Sequence, residues 1–126
     1  MDFSLQFRNW LDAAASQASQ SIAAFSFNLY EPARVPGVKF GIELIGARTF
    51  SPHDHDWPCD EIWSPAPRGI DIPEHFSGTD WEGCLDKAKA LVADYLTSTS
   101  GHWLQAGEAV GIGFVDGDLE VIWARE

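Results

Sequence analysis

Five of the seven prolines in this chain fall between residues 52 and 73. Proline has no backbone donor and drives the residue before it out of the helical region, so neither a helix nor a central strand crosses Pro52, Pro58, Pro65, Pro67 and Pro73. Regular structure has to come from the two flanks, with room for only a short strand at Glu61 to Ser64 inside the segment from Ser51 to Thr79. Loops this long in a compact domain are uncommon unless they have a task or are disordered, and Trp57, Trp63 and Phe76 argue against disorder. The middle loop is therefore the first place to expect function.

Both flanks are periodic. Phe3, Phe7, Trp10, Leu11, Ala14 and Ala18 recur in steps of three and four, which aligns them on one side of a helix. Ala23, Phe25, Phe27 and Leu29 then alternate with Ala24, Ser26, Asn28 and Tyr30, the period of a strand with one apolar face. Pro32, Pro36 and Gly37 mark a turn, after which Val38, Phe40, Ile42 and Leu44 resume the alternation, so the two strands form an antiparallel hairpin. Beyond the loop, Thr79-Asp80-Trp81-Glu82 has the spacing of a capping box with Thr79 as the cap. It opens a helix whose stripe is Trp81, Leu85, Ala88, Val92, Tyr95 and Leu96, with Gly101 as its stop and Cys84 as a packed thiol within it. At the carboxyl end, a two-residue turn at Asp116-Gly117 places Phe114 opposite Leu119, Ile112 opposite Val121 and Val110 opposite Trp123, all six on one face. Gly111 and Gly113 leave part of the opposite face flat, room for a close neighbour or ligand, with simple strand packing the plainer reading. The order α-β-β-β-α-β-β predicts a single α+β domain over residues 1–126, with an antiparallel sheet of about five strands and both amphipathic helices on its apolar face.

Charge narrows the partners. With 19 acids against 8 bases the chain carries a formal charge of −11, which opposes binding to nucleic-acid phosphates or to an anionic membrane surface. The same charge attracts a basic protein. Cys59 and Cys84 do not form a Cys-x-x-Cys pair, the first residues lack a basic patch followed by an apolar run, and no segment has the length of a membrane span, so the cytoplasm is the expected location.

The acids are unevenly spread. Asp54, Asp56, Asp60 and Glu61 surround Trp57 and Trp63 in the proline-rich loop, where large rings beside carboxylates have the make-up of a contact surface with aromatic anchors and an acidic rim. These six residues are the predicted partner-binding site, although a loop of this length also needs rings to anchor itself. Trp10, Trp81 and Trp123 fall on predicted core faces. His53 and His55 project to one side of an extended chain and, with Cys59, offer an alternative reading as a metal-binding enzyme or small-ligand protein. That set lacks a second ligand pair at a recognised spacing, and polar residues beside proline are ordinary turn material. No nucleophile elbow or phosphate-binding glycine loop occurs, and Gly111-Ile112-Gly113 is not a complete dinucleotide fingerprint, so a non-enzyme without a cofactor is expected. Asp116, Asp118 and Glu120 read as turn and edge-strand chemistry, and a non-catalytic adaptor or oligomerising subunit is the remaining alternative.

Single-domain size, the acidic balance, the tryptophan-containing loop and the ending from Gly111-Ile112-Gly113-Phe114 to Val121-Ile122-Trp123 together carry a likeness. In these respects the chain resembles the small acidic immunity proteins of bacterial polymorphic-toxin and contact-dependent inhibition systems. The resemblance implies a protein that binds and occludes a cognate toxin, often a basic enzyme, and it transfers no site residues.

Overall fold

The computed structural model describes residues 2–18 and 21–126. The chain runs through helix α1 (Phe3–Ala15), strands β1 (Ala24–Tyr30), β2 (Val38–Ala47), β3 (Glu61–Trp63) and β4 (Gly69–Pro73), the short helix α2 (Glu74–Ser77), helix α3 (Trp81–Thr97), and strands β5 (Ala109–Phe114) and β6 (Glu120–Ala124). Short 3-10 segments occupy Trp57–Cys59 and Thr99–Ala106.

The fold is α+β, as the alternation predicts, and the sheet has six strands. Its order is β3-β2-β1-β5-β6, with β4 also paired to β2. Two features differ from the expected antiparallel sheet of about five. β4 is an added strand of five residues, with Pro73 at its end, where a missing donor is tolerated. β5 lies parallel to β1, because the chain crosses through α2 and α3 before it re-enters the sheet beside the first strand.

Register assigns the two faces. Phe25, Phe27 and Leu29 of β1 share one face with Leu44 and Ile42 of β2 and with Val110 and Ile112 of β5. Onto this face pack Phe7, Trp10 and Leu11 of α1 and Ala88, Val92 and Tyr95 of α3, so both helices cover the same side. The other face begins with a row of alanines, Ala47, Ala24 and Ala109, across three adjacent strands, followed by Ile45, Ser26 and Gly111.

Local chemistry departs from the sequence pattern at three places. The cap of α3 is Asp80 and not Thr79: its carboxylate accepts the amides of Glu82 at 3.3 Å and Gly83 at 3.0 Å. An aspartate at this position also complements the helix dipole, which favours it over the neutral hydroxyl. α3 ends at Thr97, and Gly101 lies inside the following 3-10 segment instead of terminating the helix. In the terminal hairpin Val110 pairs with Trp123 as expected, but Ile112 faces Glu120 and Gly111 faces Val121. A bulge at Ile122 shifts the register by one residue, so Val121 moves to the face away from the helices and stays exposed, while Glu120 moves toward α3 and meets Lys89 at 2.8 Å.

Cys84 is 1% exposed on the inner side of α3, and burial pushes its thiol up to about 11 from an ordinary value of 9.0. Because the folded state holds this proton more tightly than the unfolded state, the contribution is complete below pH 9 and is lost as pH rises from about 9 to about 11. Urea midpoints measured across that window should fall for the wild type and fall less for Cys84→Ala. Iodoacetamide at neutral pH should label the exposed Cys59 alone until the protein is unfolded.

Candidate functional site

The middle loop is built from consecutive turns. Asp54 N donates to the Ser51 carbonyl, Asp56 N to the Asp54 carboxylate at 2.9 Å, Cys59 N to the Asp56 carbonyl and Asp60 N to the Trp57 carbonyl. These turns fold Trp57 inward. Its indole is 3% exposed and packs with Ala24, Ile45, Ala47 and Ala109 on the face of the sheet opposite the helices, edge-on to Phe50 with centroids 5.3 Å apart. The alanine row makes the slot, and Gly111 completes it: a β-carbon there would stand 3.1 Å from the indole and 3.0 Å from Leu119. At Gly111 the neighbour on this flat face is Trp57.

Four of the six residues predicted to bind a partner have partners within the fold. Trp57 is a core residue, since an alanine-floored slot removes more of the ring from water than any exposed position would. Trp63 is half-buried, packs edge-on to Phe25 and Trp103, and donates its indole N–H to the Gln17 carbonyl at 3.0 Å. Glu61 is engaged with Arg68, whose guanidinium donates to it at 2.8 Å and to Glu43 at 3.1 Å. The hydrogen bond to Glu61 holds Arg68 more firmly charged than usual, outweighing partial burial, with Glu43 adding to it. Asp60 faces Arg48 at 3.7 Å. Asp54 and Asp56 remain exposed, with no ion-pair partner among the described residues.

An exposed indole lies elsewhere. Trp81, on the first turn of α3, is 55% exposed, although its spacing assigned it to the core stripe. It sits edge-on to Phe114 with centroids 6.0 Å apart, and Phe114 in turn sits edge-on to Phe40 at 5.5 Å. Trp81, Leu85, Phe114 and the 63% exposed Val115 line a cleft of about 990 Å³ between α3 and the loop joining β5 to β6. Its carboxylates are Glu31, Asp116, Asp118 and Glu120; among the described residues no base lines it, while Lys39 reaches Glu31 and Lys89 reaches Glu120. Asp116 and Asp118 have no ion-pair partner among the described residues. Tyr30, at the same cleft, has its phenol pushed up by burial first and then by Asp71 and Glu43, which keeps it a proton donor.

A second cleft of about 270 Å³ lies on the far side of the β5–β6 loop, lined by His55, Asp56 and Cys59 from the middle loop and by Val115, Gly117 and Leu119. The loop from Phe114 to Leu119 is thus a ridge with a cleft on either flank, and it brings Asp56 to the same end of the molecule as Asp116 and Asp118. Two acidic segments far apart in sequence become one surface. The alternative ligand set of His53, His55 and Cys59 is exposed, and no group of three or more His, Cys, Asp or Glu among the described residues is arranged to hold a metal ion. No helix among the described residues is long and apolar enough to cross a membrane.

No family model, curated protein or solved structure matches this chain.

Proposed function

We propose that this protein is a non-catalytic binding protein that captures a basic protein partner on the acidic ridge, in the manner of an immunity protein occluding a basic toxin. One observation carries the reading: Trp81, the most exposed indole among the described tryptophans at 55%, lies with Phe114 and Val115 in a cleft whose lining holds four carboxylates, of which Asp116 and Asp118 have no ion-pair partner among the described residues. Exposed aromatic surface with an acidic rim fits an anchored contact in which charge guides approach and the ring holds the complex. Asp54 and Asp56 extend the negative field around the ridge, and the −11 overall charge reinforces it.

The test begins with affinity capture from the native host, comparing wild type with a variant carrying lysine at Asp54, Asp56, Asp116 and Asp118. A basic protein retained by the wild type, released by salt and lost with the variant is expected. With that protein purified, charge reversal should slow association about tenfold or more at low salt and flatten its salt dependence. Adding the wild type in excess should abolish the partner's own activity. Capture that charge reversal leaves unchanged, or association insensitive to salt, would overturn the proposal.

A further inference from the structure

Resting on that reading of the acidic cleft, we infer that its central occupant is the guanidinium of a partner's arginine, stacked on Trp81 and held by the carboxylates of the β5–β6 loop. The indole is 55% exposed and meets Phe114 edge-on at 88°, so the pair forms an angled corner and not two stacked plates. Phe114 is itself fixed against Phe40 at 5.5 Å, which holds the corner in place. A flat cation can lie on the open part of the indole, where the negative face of the ring attracts it. Asp116 and Asp118 flank Gly117 on the wall of the same cleft and carry no ion pair among the described residues. Glu120 is already engaged with Lys89 and Glu31 with Lys39, so the loop aspartates supply the unspent charge.

Arginine fits this arrangement better than lysine. An ammonium is compact and strongly hydrated, and in a cleft this open it gains little by leaving water for a ring. A guanidinium is planar and weakly hydrated, stacks on an aromatic face, and still directs several N–H groups at neighbouring carboxylates. An apolar residue beside the arginine would cover Leu85 and Val115, which line the same cleft.

The experiment titrates the intact protein with oligoarginine, oligolysine and oligocitrulline of equal length, following indole fluorescence and heat of binding at low and moderate salt. Oligoarginine should quench the emission and bind about tenfold more tightly than oligolysine, and oligocitrulline should not bind measurably. Trp81→Leu should erase the preference for arginine over lysine and leave a residual salt-sensitive affinity. The exposed position of Trp81 lets this variant fold, which circular dichroism checks. Asp116→Asn with Asp118→Asn should weaken both cationic peptides. Equal affinity for arginine and lysine, or an unchanged ratio in Trp81→Leu, overturns the guanidinium inference and leaves capture of a basic protein standing. Failure of both cationic peptides to bind at low salt overturns the two together.

Discussion

Replacing Trp57 by alanine should lower the unfolding free energy by about 3–5 kcal/mol, the cost of emptying a large buried aromatic site. The indole is 3% exposed and spans the alanine row of three strands, with Phe50 and Leu119 closing its sides. The slot floor is backbone and β-carbons, which cannot swing inward to fill the space, so the cavity persists. The variant also loses the one buried side chain of the 3-10 turn, and the segment from Ser51 to Asp60 loses its anchor. Urea unfolding followed by circular dichroism measures the first effect, and limited proteolysis of that segment measures the second. Trp57→Phe should recover part of the stability by refilling part of the slot. A loss below about 1 kcal/mol for alanine would mean that the ring does not organise the loop. Trp81→Ala provides the contrast. Its ring is mostly in solvent, so stability should change by less than about 1 kcal/mol while partner affinity falls by about 2 kcal/mol or more.

The second large effect is expected at Gly101, where alanine should cost about 3 kcal/mol or more. A β-carbon there would stand 1.8 Å from the Tyr95 carbonyl oxygen and 2.6 Å from its carbonyl carbon. Both atoms are backbone, so no rotamer change relieves the overlap. That carbonyl also accepts the Ser98 amide at 3.1 Å and the Ser98 hydroxyl at 2.6 Å, the contacts that turn the chain out of α3. Displacing the 3-10 segment would pull Trp103 off the Tyr95 hydroxyl, which it donates to at 2.9 Å, and Tyr95 itself donates to Asp12 of α1 at 2.8 Å. One methyl group would thus strain the joint that ties α3 to α1. A melting temperature within a degree or two of wild type would show that the joint can shift without penalty.

These two sites mark what could and could not be read in advance. Gly101 was legible as a breaker, because glycine after a polar run at the end of an apolar stripe is a stop signal. Its close approach to Tyr95 was not, since the turn that folds the 3-10 segment back on the helix depends on Ser98 capping. The C-terminal register was half legible: Val110 opposite Trp123 follows from the pattern, and the bulge at Ile122 does not. That bulge satisfies two demands at once, since Ile122 and Trp123 both reach the helix-side core and Glu120 reaches Lys89. The grouping of acids with aromatic rings was legible in composition, and which rings stand beside which acids was not. Trp81 shares a cleft with Asp116 and Asp118 of the β5–β6 loop, while Asp60 and Glu61 pair with Arg48 and Arg68.

Unlike β4 and α2 inside the proline-rich centre, the fold class and the apolar faces of β1, β2 and α1 were legible in the sequence alone. Those properties are local: periodicity and proline chemistry act over a few residues of chain. Only the tertiary structure decided which tryptophan is hidden and which is presented. Trp57 is buried because Ala24, Ala47, Ala109 and Gly111, brought from three strands, leave a slot that takes the indole, while Trp81 meets Phe114 at a near-perpendicular angle and stays 55% exposed. Burial of a ring depends on the shape of what it meets, and that shape is assembled from residues far apart along the chain.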